Sequence, residues 1–238
     1  MRPQVAVAVA AYQAARTVAE VVARARRLLP DLLVVDDGST DGTAAAARGA
    51  GAEVVSHPVN RGKGCALATA FDLLFDRGFA AVVTVDADGQ HLPEEIPRLV
   101  AAWRGTAESP GADLVIGARD HLFTGMSGLR RVSNRGSSLL ISAAAGQRVT
   151  DVQSGFRLYD RRLVRAVGFP EARFEAESAV VVRAVRAGFR VVQVPVALGY
   201  ADGRSTSHYR PLADSLRIAR AVLRARLGAF TWIHEPSS

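Results

Sequence analysis

Short runs of branched apolar residues alternate along this chain with longer stretches of helical spacing, and this alternation limits what it can fold into. Strands are predicted at residues 5–10, 32–36, 53–56, 80–85, 113–117, at the end of 149–160, and at 189–196. Helices are predicted at 17–29, 42–48, 64–76, from 93 onward, and at 128–145, 175–187 and 211–227. Strands that alternate with helices favour an α/β fold with a largely parallel sheet covered on both faces.

Composition narrows the class of protein further. The 238 residues are 49% hydrophobic and 22% charged, as in an ordinary globular domain, and the single cysteine, Cys65, excludes an intramolecular disulfide framework. No apolar run approaches the roughly 18–20 residues that a membrane span needs. We therefore expect a cytoplasmic protein with one domain over residues 1–210 and a basic C-terminal helix and tail over 211–238.

The net charge of +7 predicts an affinity for phosphate groups, since a positive surface attracts nucleotides, nucleic acids and anionic lipids alike. A nucleic-acid-binding protein is disfavoured because aromatic residues make up only 6% and no basic segment is interleaved with them. We therefore expect no nucleic-acid partner.

The most informative segment is VDADGQH at residues 85–91, which follows a predicted buried strand. The carboxylates of Asp86 and Asp88 lie two residues apart, and Mg²⁺ and Mn²⁺ favour one or two carboxylates together with phosphate oxygens. Gln90 is a further candidate ligand. The alternative is a polar turn, but a second acidic strand end upstream favours a functional site, because ligands of such sheets bind at the carboxyl ends of the strands.

That second acidic strand end is VVDDGSTDGT at residues 34–43. Asp37 is a candidate for hydrogen bonds to a nucleobase or a ribose, whereas Asp41 is expected to brace the loop or cap the following helix. NRGKG at 60–64 lacks the P-loop spacing, yet its glycines permit a close approach to phosphate and Lys63 supplies charge. A simple tight turn remains the alternative for NRGKG.

Taken in order, these motifs resemble the inverting family 2 glycosyltransferases of GT-A fold, and most closely the dolichyl- and polyprenyl-phosphate sugar synthases. Dolichol-phosphate mannose synthase and dolichyl-phosphate β-glucosyltransferase exemplify that group. GAR at 117–119 and DVQSGFRLY at 151–159 complete the pattern, which covers about residues 4 to 210. The resemblance implies a mixed, mostly parallel sheet with helices on both faces. It also implies transfer of a hexose from GDP-mannose or UDP-glucose to a lipid phosphate, with Mg²⁺ or Mn²⁺ as cofactor.

The resemblance assigns roles to individual residues. The donor nucleotide sugar is expected to contact Ala10, Tyr12, Asp36, Asp37, Lys63, Asp86, Ala87, Asp88, Arg173 and Arg204. The metal is expected on Asp86, Asp88 and Gln90, and the acceptor phosphate on Arg119, Arg130 and Arg131. For Arg130 and Arg131 a solvated helix face is the alternative. Asp151, Arg119 and Arg157 are expected to be catalytic, with Asp151 in a loop that closes over the reacting centre.

Two alternatives stay open for the acceptor. A lipid phosphate is already largely dianionic near pH 7, so Asp151 need not remove a proton. A hydroxyl on a glycolipid or polysaccharide would need a general base, and Asp151 is then the best candidate. The family usually opens with a Pro-x-Tyr-Asn-Glu-like segment, and this chain retains only Tyr12 of it, in Ala10-Ala11-Tyr12-Gln13-Ala14. The nucleobase is therefore not specified by the sequence.

The C-terminal segment at 211–227 has two distinct faces. Arg210, Arg217, Arg220 and Arg224 share one face, and Leu212, Leu216, Leu223 and Leu227 share the other. A basic amphipathic helix can lie on anionic lipid, which predicts peripheral contact with the inner face of the cell membrane. In the alternative, the leucine face packs on the domain and the arginines face water.

Overall fold

The structure of the protein is a computed structural model that describes residues 5–119, 138–139, 141–152, 154–198 and 211–227. Its strands are β1 (Val5–Ala11), β2 (Leu32–Asp36), β3 (Glu53–Ser56), β4 (Ala81–Asp86), β5 (Leu114–Ala118), β6 (Arg157–Asp160) and β7 (Val191–Pro195). Its helices are α1 (Val18–Arg26), α2 (Thr43–Gly49), α3 (Lys63–Asp76), α4 (Ile96–Arg104), α5 (Arg161–Val167), α6 (Glu175–Arg186) and α7 (Pro211–Leu227). A 3₁₀ turn at Pro93–Glu95 leads into α4, and residues 141–145 are also helical.

The described strands form one seven-stranded sheet in the order β3-β2-β1-β4-β6-β5-β7. Pairing is parallel among β1, β2, β3 and β4, and also between β5 and β7. Strand β6 runs antiparallel to both of its neighbours, β4 and β5. The sheet is thus mixed and mostly parallel, which confirms the predicted fold class.

Two apolar layers cover the sheet, one on each face. On one face the core includes Leu67 and Phe71 of α3 with residues of α6 and α7, and the Phe71 ring lies 5.0 Å from that of Tyr159. On the other face, residues of α1, α2 and α4, such as Val22 and Leu99, pack against the opposite side chains of the strands. Burial on both faces explains why the central strands are apolar without alternation.

Helix α5 was not among the predicted helices. It is only seven residues long and follows β6 directly, so its sequence offers too few turns for a helical period to stand out. Asp160 ends the strand and caps the helix, because its carboxylate accepts a hydrogen bond from the backbone N–H of Arg162 at 2.8 Å. One residue therefore ends the strand and starts the helix.

Helix α7 packs against α6, and its apolar contacts differ from the predicted leucine face. Ile218, Ala221, Val222 and Ala225 are buried, whereas Leu223 is 55% exposed and Leu227 73% exposed. The alternative in which these leucines pack on the domain is therefore wrong for the two that the structure describes. Small and branched residues make the contact instead, which leaves a pair of leucines facing outward.

Leu67 offers a direct test of the core on the α3 face, because its side chain is 1% exposed. We expect Leu67→Ala to lower the free energy of unfolding by about 2–5 kcal/mol, through lost burial and the cavity left behind. The matched substitution Leu28→Ala, at a side chain 38% exposed, should cost less than about 1 kcal/mol. Urea denaturation of the three proteins measures the difference, and equal losses would contradict this packing.

Candidate active site

The register of the sheet brings the acidic strand ends together at one edge. Ala10 near the end of β1 is paired with Asp86 at the end of β4, and Ala11 is paired with Asp36 at the end of β2. Because β6 is antiparallel, its first residue, Arg157, lies opposite Thr84, so residues 154–156 lead into the sheet at the same edge. Motifs more than a hundred residues apart in sequence therefore share one site.

At the centre of this edge, Lys63 bridges two carboxylates. Its ammonium lies 2.6 Å from Oδ1 of Asp86 and 2.9 Å from Oε2 of Glu177, and 6.0 Å from the centre of the Phe174 ring. Lys63 is the first residue of α3, and Glu177 lies in the first turn of α6. The predicted donor-binding lysine is thus held against Asp86 from the opposite side by Glu177.

The pKa values of these groups follow from their charges. Burial disfavours the charged form of Lys63, but Asp86 and Glu177 outweigh it and raise the pKa of the ammonium above its ordinary value. Burial likewise opposes the charge of Asp86, but Lys63 outweighs it and the pKa of Asp86 is lowered. Burial and the negative charge of Asp86 together raise the pKa of Asp88 to about 6.

The donor set at this edge fits a hard divalent cation. Asp86 and Asp88 disfavour each other's charge, and a cation between them would relieve that cost. Among the described residues, no cluster of three or more His, Cys, Asp or Glu side chains could hold a metal ion. Mg²⁺ and Mn²⁺ favour one or two carboxylates together with phosphate oxygens and water, which Asp86 and Asp88 can supply in part.

Directly after β5, Arg119 forms a two-point ion pair with Asp151. The Arg119 Nε donates to Oδ2 of Asp151 at 2.7 Å, Nη2 donates to Oδ1 at 3.0 Å, and the backbone N–H of Arg119 donates to Oδ2 at 3.0 Å. Asp151 is fully buried, which opposes its charge, but Arg119 outweighs burial and lowers the pKa of the carboxyl. Two residues predicted to be catalytic are therefore in direct contact.

Arg157 does not lie where a substrate could reach it. The side chain is fully buried and its guanidinium donates to three backbone carbonyls, those of Val152, Ser154 and Glu177, at 2.6, 2.7 and 2.5 Å. This position argues against the predicted catalytic role of Arg157. The side chain instead holds the chain segment before β6 against α6, and so positions the neighbouring Asp151.

Asp37 is also occupied within the protein. Its carboxylate is 2% exposed and accepts hydrogen bonds from the backbone N–H groups of Arg61 and Gly62, at 3.0 and 2.7 Å. It also lies 2.7 Å from Nδ1 of His57, whose Nε2 is 3.0 Å from Oγ1 of Thr69. Asp37 thereby supports the loop that carries Lys63, and its predicted contact with a nucleotide stays a prediction.

Three further residues named in the sequence analysis, Asp36, Asp41 and Tyr12, lie at or after the ends of β1 and β2. Asp36 is buried and accepts a hydrogen bond from the Ser39 backbone N–H at 3.2 Å. Asp41 accepts from Thr43 and from the backbone N–H of Ala15, which confirms its predicted role as a loop brace. Tyr12 is half-exposed and directly precedes Gln13, whose φ of 51° lies in the left-handed region that non-glycine residues seldom adopt.

Other predicted site residues lie around this edge or outside the described chain. Ala10 and Gln90 are half-buried, and the Gln90 backbone N–H donates to Oδ1 of Asp88 at 3.0 Å. Ala87 is buried and its carbonyl accepts a hydrogen bond from the Thr17 hydroxyl at 2.6 Å. Arg173 is exposed on the loop before α6. Arg130, Arg131 and Arg204 lie outside the described residues.

Three residues of the site carried no usable sequence signal. Glu177 and His57 occupy unremarkable contexts, and only the fold brings them to Lys63 and Asp37. His91, the last residue of the VDADGQH segment, is 1% exposed and stacks on Phe156 with ring centres 5.3 Å apart. Burial lowers the pKa of His91 to about 4, so its ring is neutral at pH 7.

The fold and the site fit a glycosyltransferase of the GT-A fold, since a mostly parallel sheet carries Asp86 and Asp88 at its carboxyl edge, with Lys63 and Arg119 near them. The glycosyl transferase family 2 model matches residues 6–168, and the chain belongs to this family. It is 32% identical to an undecaprenyl-phosphate mannosyltransferase of Micrococcus luteus, over 70% of each chain. It is 30% identical to a polyprenol monophosphomannose synthase of Mycolicibacterium smegmatis, over 74% of this chain and 70% of that one.

Solved structures support the same fold. Glucosyl-3-phosphoglycerate synthase of Mycobacterium tuberculosis, in complex with phosphoglyceric acid, superposes with a TM-score of 0.73 at 24% identity. The match covers 95% of this chain and 81% of that one. At this level of identity the similarity concerns the fold, and it confirms the GT-A architecture.

Gly155 tests the Lys63 cluster, because a Cβ at this position would overlap both carboxylate oxygens of Asp86 and the ammonium of Lys63. These atoms end flexible side chains, so we expect Gly155→Ala to fold but to displace the carboxylate. Affinity for Mn²⁺ in the presence of a nucleotide sugar, measured by calorimetry, should fall about 10–100-fold. Gly49→Ala is the matched control, since no atom lies within 4 Å of its Cβ. Unchanged affinity in Gly155→Ala would contradict this geometry.

Asp151 tests the ion pair with Arg119. We expect Asp151→Asn to lower the free energy of unfolding by about 3–5 kcal/mol at pH 7, because it leaves a buried guanidinium without its counter-charge. The matched variant Asp76→Asn breaks an exposed pair with Arg165 and should cost less than about 1 kcal/mol.

The pH dependence of that loss has a defined sign. The folded state lowers the pKa of Asp151, so the stabilisation is present above the unfolded pKa of about 3.9 and is lost as pH falls through the folded pKa. The gap between wild type and Asp151→Asn should therefore be constant from pH 5 to 8 and narrow below about pH 4. Denaturation curves at several pH values measure it, and a gap that widens at low pH would refute the assignment.

Proposed function

We propose that this enzyme transfers a hexose from a nucleotide sugar, GDP-mannose or UDP-glucose, to the phosphate of a polyprenyl- or dolichyl-type lipid. Transfer proceeds by single displacement, so the α-linked donor gives a β-linked product, and it uses Mg²⁺ or Mn²⁺. The names of the two bacterial relatives, an undecaprenyl-phosphate mannosyltransferase and a polyprenol monophosphomannose synthase, support a lipid phosphate as acceptor.

The state of Asp151 is the observation that carries the choice of acceptor. A general base works best with a pKa near the working pH, and both oxygens of Asp151 are held by Arg119 while its pKa is lowered. Asp151 is therefore a poor proton acceptor. A phosphate monoester needs none, because its second pKa of about 6 leaves it mostly dianionic at pH 7. The geometry thus favours an acceptor that arrives already deprotonated.

Different charged residues at this edge of the sheet bind the donor and the acceptor. Asp86 and Asp88 would hold the metal, and Lys63 lies beside Asp86 as a fixed positive charge. A bound metal would neutralise charge that develops on the leaving diphosphate. Arg119 supplies positive charge at the end of β5, where it orients the acceptor phosphate, and Asp151 fixes the guanidinium in place. Both substrates are polyanions, and the cationic side chains of Lys63 and Arg119 give each of them its own binding position.

A lipid acceptor places the reaction at a membrane surface. None of the helices in the described part of the chain combines the length and apolar character that crossing a bilayer requires. We propose peripheral contact at the inner face of the cell membrane, with the outward leucines of α7, Leu223 and Leu227, next to the lipid.

The test is a transfer assay with two acceptors that differ only in the phosphate. We first identify the donor by thermal shift with UDP-glucose, GDP-mannose and other nucleotide sugars in Mn²⁺ or EDTA, using Asp88→Ala as the control that loses the metal-dependent shift. Transfer is then measured to a polyprenyl phosphate and to the matching polyprenol. We expect a β-linked product, read by proton NMR, from the phosphate alone. The rate should fall as pH drops below about 6, where the phosphate gains its second proton.

Transfer to the polyprenol, or to a sugar hydroxyl, would contradict the phosphate acceptor and restore Asp151 as the candidate base. Absence of any metal-dependent shift with every donor, together with tight binding of RNA or DNA, would contradict the transferase mechanism altogether.

A further inference from the structure

A groove lined by arginines lies between α6, α7 and the loop that precedes α6. Its volume is about 710 Å³. The groove arginines come from three segments of the chain: Arg173 from the loop, Arg183 from α6, and Arg217, Arg220 and Arg224 from α7. We call this cavity the arginine groove. A space of this size accommodates a small organic phosphate or a lipid headgroup.

The charge of the groove is strongly one-sided. Two glutamates, Glu171 and Glu175, line it against the five arginines. Glu171 is already engaged, since both of its carboxylate oxygens accept hydrogen bonds from the guanidinium of Arg183. The lining therefore keeps an excess of positive charge, and concave walls concentrate its field on whatever enters.

Arg183 differs from the other groove arginines because its side chain is mostly buried. Its side chain is nine-tenths buried and lines the groove, and Nη2 also lies 3.2 Å from the carbonyl oxygen of Gly168. Its Nε–H has no hydrogen-bond partner among the described residues. The Nε atom is sealed from the groove, so Arg183 contributes its positive charge to the groove wall and not a free donor.

The arginine groove is separate from the candidate active site. Asp86, Asp88, Arg119 and Asp151 are absent from its lining. The loop at 170–173 stands between the two, because its Ala172 carbonyl accepts a hydrogen bond from the Cys65 backbone N–H of α3 at 3.1 Å while its other side faces the groove. The two sites thus share a wall and no chemistry-bearing side chain beyond Arg173.

We propose that the arginine groove binds a phosphate-bearing ligand, with the guanidinium groups of α7 as its principal contacts. Arginine suits this ligand because its planar fork donates two parallel hydrogen bonds to phosphate oxygens. The phosphate can belong to a lipid headgroup or to a soluble compound. Leu223 and Leu227 lie three residues beyond Arg220 and Arg224 and are exposed, so a headgroup in the groove would bring acyl chains toward them.

The experiment compares two double variants that remove the same charge. The groove variant, Arg220→Gln with Arg224→Gln, removes two positive charges from the α7 side of the groove. The control variant, Arg161→Gln with Arg186→Gln, removes two exposed arginines of α5 and α6 that do not line the groove. All four positions are exposed, so both proteins should fold, which circular dichroism checks. Pyrophosphate binding is measured by calorimetry in EDTA. Binding to phosphatidylcholine vesicles, with and without phosphatidylglycerol, is measured by sedimentation.

We expect the groove variant to lose tenfold or more in affinity for pyrophosphate, for the phosphatidylglycerol vesicles, or for both, while the control variant changes less than threefold. Loss for pyrophosphate alone identifies a soluble phosphate, and loss for the vesicles alone identifies a headgroup. The proposal is overturned if wild type binds neither probe, or if groove and control variants lose affinity equally.

A third measurement keeps this result apart from the transferase activity. Binding of the donor nucleotide sugar with Mn²⁺ should be unchanged in Arg220→Gln with Arg224→Gln. If donor affinity falls in parallel with pyrophosphate affinity, the groove is an extension of the donor site and the proposal of a separate site is overturned. The outcome does not depend on which acceptor the enzyme uses.

Discussion

Buried carboxylates at one edge of the sheet need compensating positive charges or hydrogen-bond donors, and the structure around the site depends on where these partners come from. Asp86 and Glu177 share the ammonium of Lys63, and Asp151 is matched by the fork of Arg119. Asp37 is matched by backbone N–H groups and a histidine. Each solution ties two distant segments together, because the partner always comes from another element. Electrostatic compensation thus builds the site and also closes the fold around it.

The arginines show how one residue type serves different ends according to burial. Arg157 is enclosed completely and donates to three carbonyls, so its charge orders the segment before β6. Arg119 keeps part of its surface in the site and pairs with a single carboxylate. The α7 arginines are exposed and line a concave surface. The high arginine content therefore has structural as well as ligand-binding uses, which the net charge alone does not distinguish.

Much of the fold followed from periodicity, and the acidic strand ends located the site, because parallel strands present their carboxyl ends at one edge. The side-chain partners within the site could not be predicted from the sequence, for physical reasons. Asp37 and Arg157 bear groups that could face a ligand or the protein, and only the path of the loop and of α6 decides between them. Glu177 meets Lys63 across 114 positions of sequence, and no local pattern marks such a contact. The direction of β6 likewise depends on its neighbours in the sheet.

The loop at 170–173 touches both sides of this arrangement. Its Ala172 carbonyl fixes the first turn of α3, where Lys63 begins the helix, and Arg173 reaches toward Gly62 on one side and the groove on the other. Glycines at 62 and 64 let the two segments approach so closely that added side chains would collide with the loop backbone. Such a tight contact leaves little room for either segment to move alone. If an anion in the groove changes the affinity for the donor by some factor, thermodynamic linkage requires the donor to change the affinity for the anion by the same factor.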